Sequence, residues 1–334
     1  MRMRAGLRST ASALALATAA LSSAAVPARA ACSPTVNPST GQTVTCDSSQ
    51  PNPVTTAIVS QPGSTNVTVN MLSGAQLNVG SDAVVLGGGG AVNNNSGAII
   101  QGTTGINSTG PLTIANDGQI SGTSGPGVVI NGAGNSTLNN TGTINGSGTA
   151  VQFNTVAGSS QTLNNAGNGS INGNFVGSGD GAIVITNSGN FNGGITINGN
   201  GSNSITTASG RNINGLVSIS GNSQNTIVNG GAFNNGLVIS GAGSNDITNQ
   251  AGAFINQTFS VAGSQNTITN AGTLNNGLTV GNGVAWRLTT SSTTVARCPQ
   301  HSCPSTASPA AISPIPSTSF PASPSLARRR SHSN

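Results

Sequence analysis

The sequence predicts an all-β chain folded as a right-handed parallel β-helix, a β-solenoid of about nine to ten coils followed by a disordered tail. Three observations predict it. One pattern of apolar and small residues returns about every 22 residues through the middle of the chain. Within each return the apolar residues alternate with polar ones, which places them on one face of a strand. Between them the chain is rich in Gly, Asn, Ser and Thr, which are poor helix formers, and of these Gly, Asn and Ser are frequent turn residues.

The chain opens on a leader. Arg2, Arg4 and Arg8 make a positive start, residues 11–26 form an uncharged run dominated by Ala, Leu, Ser and Thr, and Ala28-Arg29-Ala30 supplies an A-x-A site. That layout is a secretory signal peptide over residues 1–30, cut before Ala31, and it places the mature chain outside the cytoplasm. The apolar run is too short and Ala-rich for a stable span, and no later segment could cross a bilayer as a helix. No transmembrane span is expected in the mature chain.

Residues 31–64 are expected to act as an N-terminal cap, because a solenoid must hide the open end of its core. Cys32 and Cys46 are the only cysteines before the tail. In an oxidising compartment two cysteines so close in sequence most simply form a disulfide.

Residues 65–283 carry the repeat: an apolar residue, a spacer, Asn, one or two small residues, Gly, a spacer and a second apolar residue. Segments 114–120 (IANDGQI), 138–144 (LNNTGTI), 185–191 (ITNSGNF) and 268–274 (ITNAGTL) show it. With the Asn as marker the series runs Asn95, Asn116, Asn140, Asn165, Asn187, then Thr207 in the Asn role, then Asn229, Asn249 and Asn270, at intervals of 20 to 25 residues. A third apolar pair on alternate residues, such as Ile195 with Ile197 or Val217 with Ile219, gives each coil three short strands. The turns between strands need positive φ, which Gly supplies and Asn tolerates. Equivalent Asn side chains in successive coils can stack as a hydrogen-bonded ladder, which explains their recurrence better than an array of ligand contacts does. At the strand spacing of about 4.8 Å, nine or ten coils stack to roughly 45–50 Å.

From residue 284 the composition changes abruptly. Asn vanishes until Asn334, while the sole Trp, both His, two Cys and seven Pro appear. Segment 313–317 (SPIPS) cannot extend a sheet ladder, since Pro donates no hydrogen bond. Residues 284–334 therefore read as a disordered Ser/Pro/Ala tail, and its abrupt onset fits a frameshift. Cys298, His301 and Cys303 are spaced C-x2-H-x-C, but structural zinc wants four ligands in a folded module, so no metal site is assigned.

The charge pattern excludes several chemistries. The net charge of +5 sits in the two ends; residues 31–283 hold one arginine, Arg211, against five aspartates, a balance of −4. A body with one Arg and no Lys cannot track a phosphate backbone, so no nucleic-acid partner is expected, and a P-loop is excluded for the same lack of Lys. The body has no His, so a Ser-His-Asp arrangement cannot be assembled in it. Asp82, Asp117 and Asp246 fall in or near expected turns, where Asp is common for local hydrogen bonding. Neither catalytic residues nor a cofactor are called for, although a β-helical polysaccharide-degrading enzyme stays as a minor alternative.

The tandem units Asn140-Thr141-Gly142-Thr143-Ile144 and Asn270-Ala271-Gly272-Thr273-Leu274 resemble the passenger repeats of bacterial autotransporters, the type V secreted proteins. The resemblance covers roughly residues 65–283 and the leader. It implies a Gram-negative cell-surface or outer-membrane protein acting as an adhesin or self-association scaffold, with host or bacterial surface ligands or other copies as partners. A curli-like functional amyloid, which also repeats near 22 residues, is the alternative. Autotransporters usually end in a translocating β-barrel, whereas this sequence ends Ser331-His332-Ser333-Asn334. If the barrel is truly missing, this product is expected to stall in the periplasm.

Overall fold

The computed structural model describes residues 31–281, with the strand backbones of Ala285–Thr290 and Ala296–Arg297. All regular structure among the described residues is β-strand, wound into a parallel β-solenoid of about 11 turns. Each coil contributes one strand to each of three faces. The first face runs from Thr43–Cys46, Thr68–Met71 and Gly90–Asn94 to Gln265–Asn270 and Ala285–Thr290, paired parallel throughout. The second face carries the shorter strands from Gln76–Asn78 to Thr273–Leu274. The third runs from Ile58–Val59 to Leu278–Val280 and Ala296–Arg297. In mid-stack, Thr143–Thr155 and Ser170–Gly179 pass through the corner between the second and third faces as single irregular strands.

The alternation read from sequence is the alternation of burial. On the first face Val69, Val92, Ile114, Leu138, Leu163 and Ile185 are direct register partners, and all are fully buried. Ile120, Ile144, Ile171 and Phe191 stack in the same way on the second face, and Val128, Val151, Phe175 and Ile195 on the third. Each inward side chain contributes about 1.5–3 kcal/mol by leaving water, and its partner one rung away keeps the column dry. A slip of one residue would turn every inward side chain outward, so the register is strongly fixed.

The ends lie elsewhere than expected. Thr43–Cys46, Val54 and Ile58–Val59 already occupy the three faces, so the first coil starts at residue 43 and the cap is confined to residues 31–42. Cys32–Ser33 pairs antiparallel with Thr43–Cys46 and covers the leading edge of the first face, where Cys32 and Cys46 form a disulfide with Cα atoms 4.0 Å apart. Val36 and Pro38 carbonyls accept from the Val59 and Gln61 amides and cover the third face. At the other end the parallel pairing continues past residue 284, with Gln265–Asn270 paired to Ala285–Thr290. The early first coil and this late rung account for a coil count above nine to ten. The leader 1–30, including Ala28, Ala30 and the cleavage site before Ala31, lies outside the described residues, as do Cys298, His301 and Cys303.

Glycine has two separate roles at the corner between the first and second faces. In longer turns it supplies the left-handed conformation, as at Gly252 with φ +80° and open space around it. In the short turn after Asn140, Gly142 is needed for a different reason: a Cβ there would lie 2.1 Å from the carbonyl oxygen of Gly118 in the preceding coil. The expectation that these turns require positive φ therefore holds only for the longer ones; the short ones require close approach of two backbones.

Candidate functional site

Two amide ladders run inside the solenoid and a seven-residue one runs along its surface, besides a shorter run through Asn107, Asn131 and Asn154 on the third face. The first internal ladder closes the corner after the first face. Asn94 Nδ2 donates to Asn116 Oδ1 at 2.7 Å, Asn116 to Asn140 at 2.7 Å, Asn140 to Asn165 at 2.8 Å and Asn165 to Asn187 at 2.8 Å. The same Nδ2 groups also reach the backbone where the next coil enters the second face, for example Asn165 to the Asn190 carbonyl at 3.0 Å. Each Asn thus joins two coils and satisfies a corner carbonyl, in a site from which water is excluded.

The structure corrects one member of the expected series. Asn94, not Asn95, is the ladder residue: it lies two residues after inward Val92, pairs with Asn116 and is fully buried, whereas Asn95 is exposed. The N-x-G spacing of Asn95-Ser96-Gly97 belongs to a longer turn with Gly97 at φ +78°, which displaces the apparent marker by one position. Thr207 does occupy the ladder column, between Asn187 and Asn229. Its hydroxyl finds no partner, so the ladder divides into one run from Asn94 to Asn187 and a second through Asn229, Asn249 and Asn270, with bonds of 2.8 Å.

A second internal ladder was not read from the sequence. Asn203, Asn225, Asn245 and Asn266 begin the strands of the first face and bond in series at 3.0, 2.7 and 2.6 Å. The signal was present: each stands two residues before an inward Ile, as in Asn225-Thr226-Ile227. The surface ladder was missed as well. It follows the inward residue of the second face at Asn145, Asn172, Asn192, Asn214, Asn234, Asn256 and Asn275, each later Nδ2 donating to the preceding Oδ1.

Outward positions of the first face form two columns dominated by Thr and Asn. Thr113, Thr137 and Thr162 are register partners in one, and Asn139, Asn164, Thr186 and Thr206 in the other. Asp246 is the one charged residue described in these columns from Thr68 to Thr269. The other aspartates serve the corners. Asp82 accepts from the Thr104 amide at 3.1 Å and from Asn107 Nδ2 at 2.9 Å, Asp117 accepts from the Thr141 hydroxyl, and Asp180 from Asn200.

Among the described residues no group of three or more His, Cys, Asp or Glu gathers to hold a metal ion, and no helix is long and apolar enough to cross a membrane. Exposed large apolar side chains, such as Leu216 and Phe254, are scattered singly. The surface offers uncharged hydrogen-bond donors and acceptors repeated at the strand spacing of about 4.8 Å. Comparison with protein-family models, with curated proteins and with solved structures finds no match to the chain.

Proposed function

We propose that the chain is an exported, non-catalytic scaffold of the autotransporter-passenger kind, acting in surface adhesion or self-association through its long uncharged flank. The observation that carries this reading is the pair of outward columns on the first face, where Thr, Asn and Ser predominate and Asp246 is the one charged residue from Thr68 to Thr269. Such a surface recognises a partner by many weak, repeated contacts rather than by one pocket, and avidity multiplies them. The leader and the Cys32–Cys46 disulfide support an extracytoplasmic setting.

The test places charge on the flank without touching the core. In the triple variant Thr113→Asp, Thr162→Asp and Ser204→Asp the changes are two or more rungs apart from one another and from Asp246, and each is expected to alter stability by no more than about 1 kcal/mol. Retention on cells or in self-associated material is expected to fall at least about tenfold, equivalent to 1.4 kcal/mol. Unchanged retention with unchanged stability would rule out the flank. Rapid fibrillation of wild-type monomer with thioflavin binding would favour the functional-amyloid reading instead.

A further inference from the structure

We infer that three asparagines, Asn276, Asn235 and Asn168, are sites of spontaneous covalent modification by deamidation, and that the surface ladder protects chemically identical Asn-Gly pairs beside them. In an Asn-Gly pair the backbone nitrogen of Gly can attack the Asn Cγ. A new C–N bond closes a succinimide, the Cγ–Nδ2 bond breaks, and ammonia leaves with the proton from the backbone nitrogen. Water then opens the ring at either carbonyl to give aspartate or isoaspartate. The reaction needs a side chain free to rotate and a glycine N–H free of hydrogen bonds.

The structure sorts seven of the twelve Asn-Gly pairs in the sequence by both criteria. Asn145, Asn172, Asn192 and Asn214 each precede a glycine, yet each side chain both donates and accepts: Asn192 donates to Asn172 at 2.7 Å and accepts from Asn214 at 3.1 Å, and Asn145 accepts from Asn172 and donates to Ser121 Oγ at 3.1 Å. The glycine after Asn214 is held as well, its N–H donating to the Gly193 carbonyl at 2.8 Å. Asn168, Asn235 and Asn276 are exposed, precede Gly169, Gly236 and Gly277, and make no side-chain hydrogen bond among the described residues.

Their glycines then rank them. The Gly169 N–H is bonded to the Ala166 carbonyl at 2.6 Å, the Gly236 N–H to Phe233 at a long 3.3 Å, and the Gly277 N–H to no described group. The expected order is therefore Asn276, Asn235, Asn168, then the ladder residues. Each product converts a neutral amide to a carboxylate on a body whose balance is −4. The corners on either side of the second face become more acidic with age.

The experiment incubates the full exported chain at mildly alkaline pH, digests it at intervals and follows the peptides of these seven Asn-Gly pairs by mass spectrometry, with the urea-unfolded chain in parallel. In the folded chain the four ladder residues are expected to react roughly thirty-fold more slowly than Asn276, the equivalent of about 2 kcal/mol for releasing two hydrogen bonds. In urea all seven rates converge. Ladder residues reacting as fast as Asn276 in the folded chain, or a spread of rates that persists in urea, would overturn the inference.

Discussion

Phe153→Ala is expected to destabilise the middle of the stack by about 3–5 kcal/mol, the range for emptying a buried aromatic site. Phe153 is fully buried, meets Phe175 edge-to-face with ring centroids 5.2 Å apart, and stands in register between Ile130 and Gly177. Gly177 is the complement that makes room: a Cβ there would sit 2.4 Å from Ile183 Cδ1 and 3.1 Å from the Phe175 ring. No neighbour is therefore placed to fill the void. Coils contact only adjacent coils, so the loss is local. Hydrogen exchange should show earlier opening of the rungs containing Ile130, Phe153 and Phe175, with the rungs near Val69 unchanged. Uniform loss along the chain would contradict this.

Asn140→Ala is expected to cost about 3 kcal/mol. The side chain accepts from Asn116 at 2.7 Å and donates to Asn165 at 2.8 Å, with no exposed surface. Truncation leaves an amide donor above and an acceptor below without that partner, and each buried orphan costs roughly 1–3 kcal/mol. Urea unfolding monitored beside Asn164→Ala, on the outward column one rung along, where the side chain donates to Asn139 Oδ1 at 2.8 Å in an exposed position, separates the effects. The outward change is expected to stay within about 0.5 kcal/mol. Equal losses from both would contradict an internal ladder.

The period, the three strands per coil and the inward residues were legible because each is a local pattern repeated many times. A single coil would have been ambiguous, but Ile114, Leu138, Leu163 and Ile185 recur in one context, and their burial follows from alternation alone. The ends were less legible. The first coil uses Val44, Val54 and Ile58 inside segments rich in Pro and Ser, where alternation is too short to see, so its residues read as part of the cap.

Turn length was the second source of error. A longer corner moved the apparent marker from Asn94 to Asn95, and only counting back from inward Val92 recovers the right residue. The unpaired hydroxyl of Thr207 and the close backbone approach at Gly142 depend on the neighbouring coil, and the latter cannot be read from one repeat. The surface ladder was hidden by its company: Asn is frequent at every corner, and a composition so rich in it masks which column is bonded.

The register of the stack is tested most directly by comparing Asn94→Ala with Asn95→Ala, adjacent substitutions of the same chemistry. Asn94 donates to Asn116 at 2.7 Å and to the Gln119 carbonyl at 3.1 Å, while the exposed Asn95 side chain makes no hydrogen bond among the described residues. Equilibrium urea unfolding is expected to show a loss of about 2 kcal/mol for Asn94→Ala and a change within about 0.5 kcal/mol for Asn95→Ala. The reverse order, or equal effects, would contradict the register on which the buried columns and all three ladders rest.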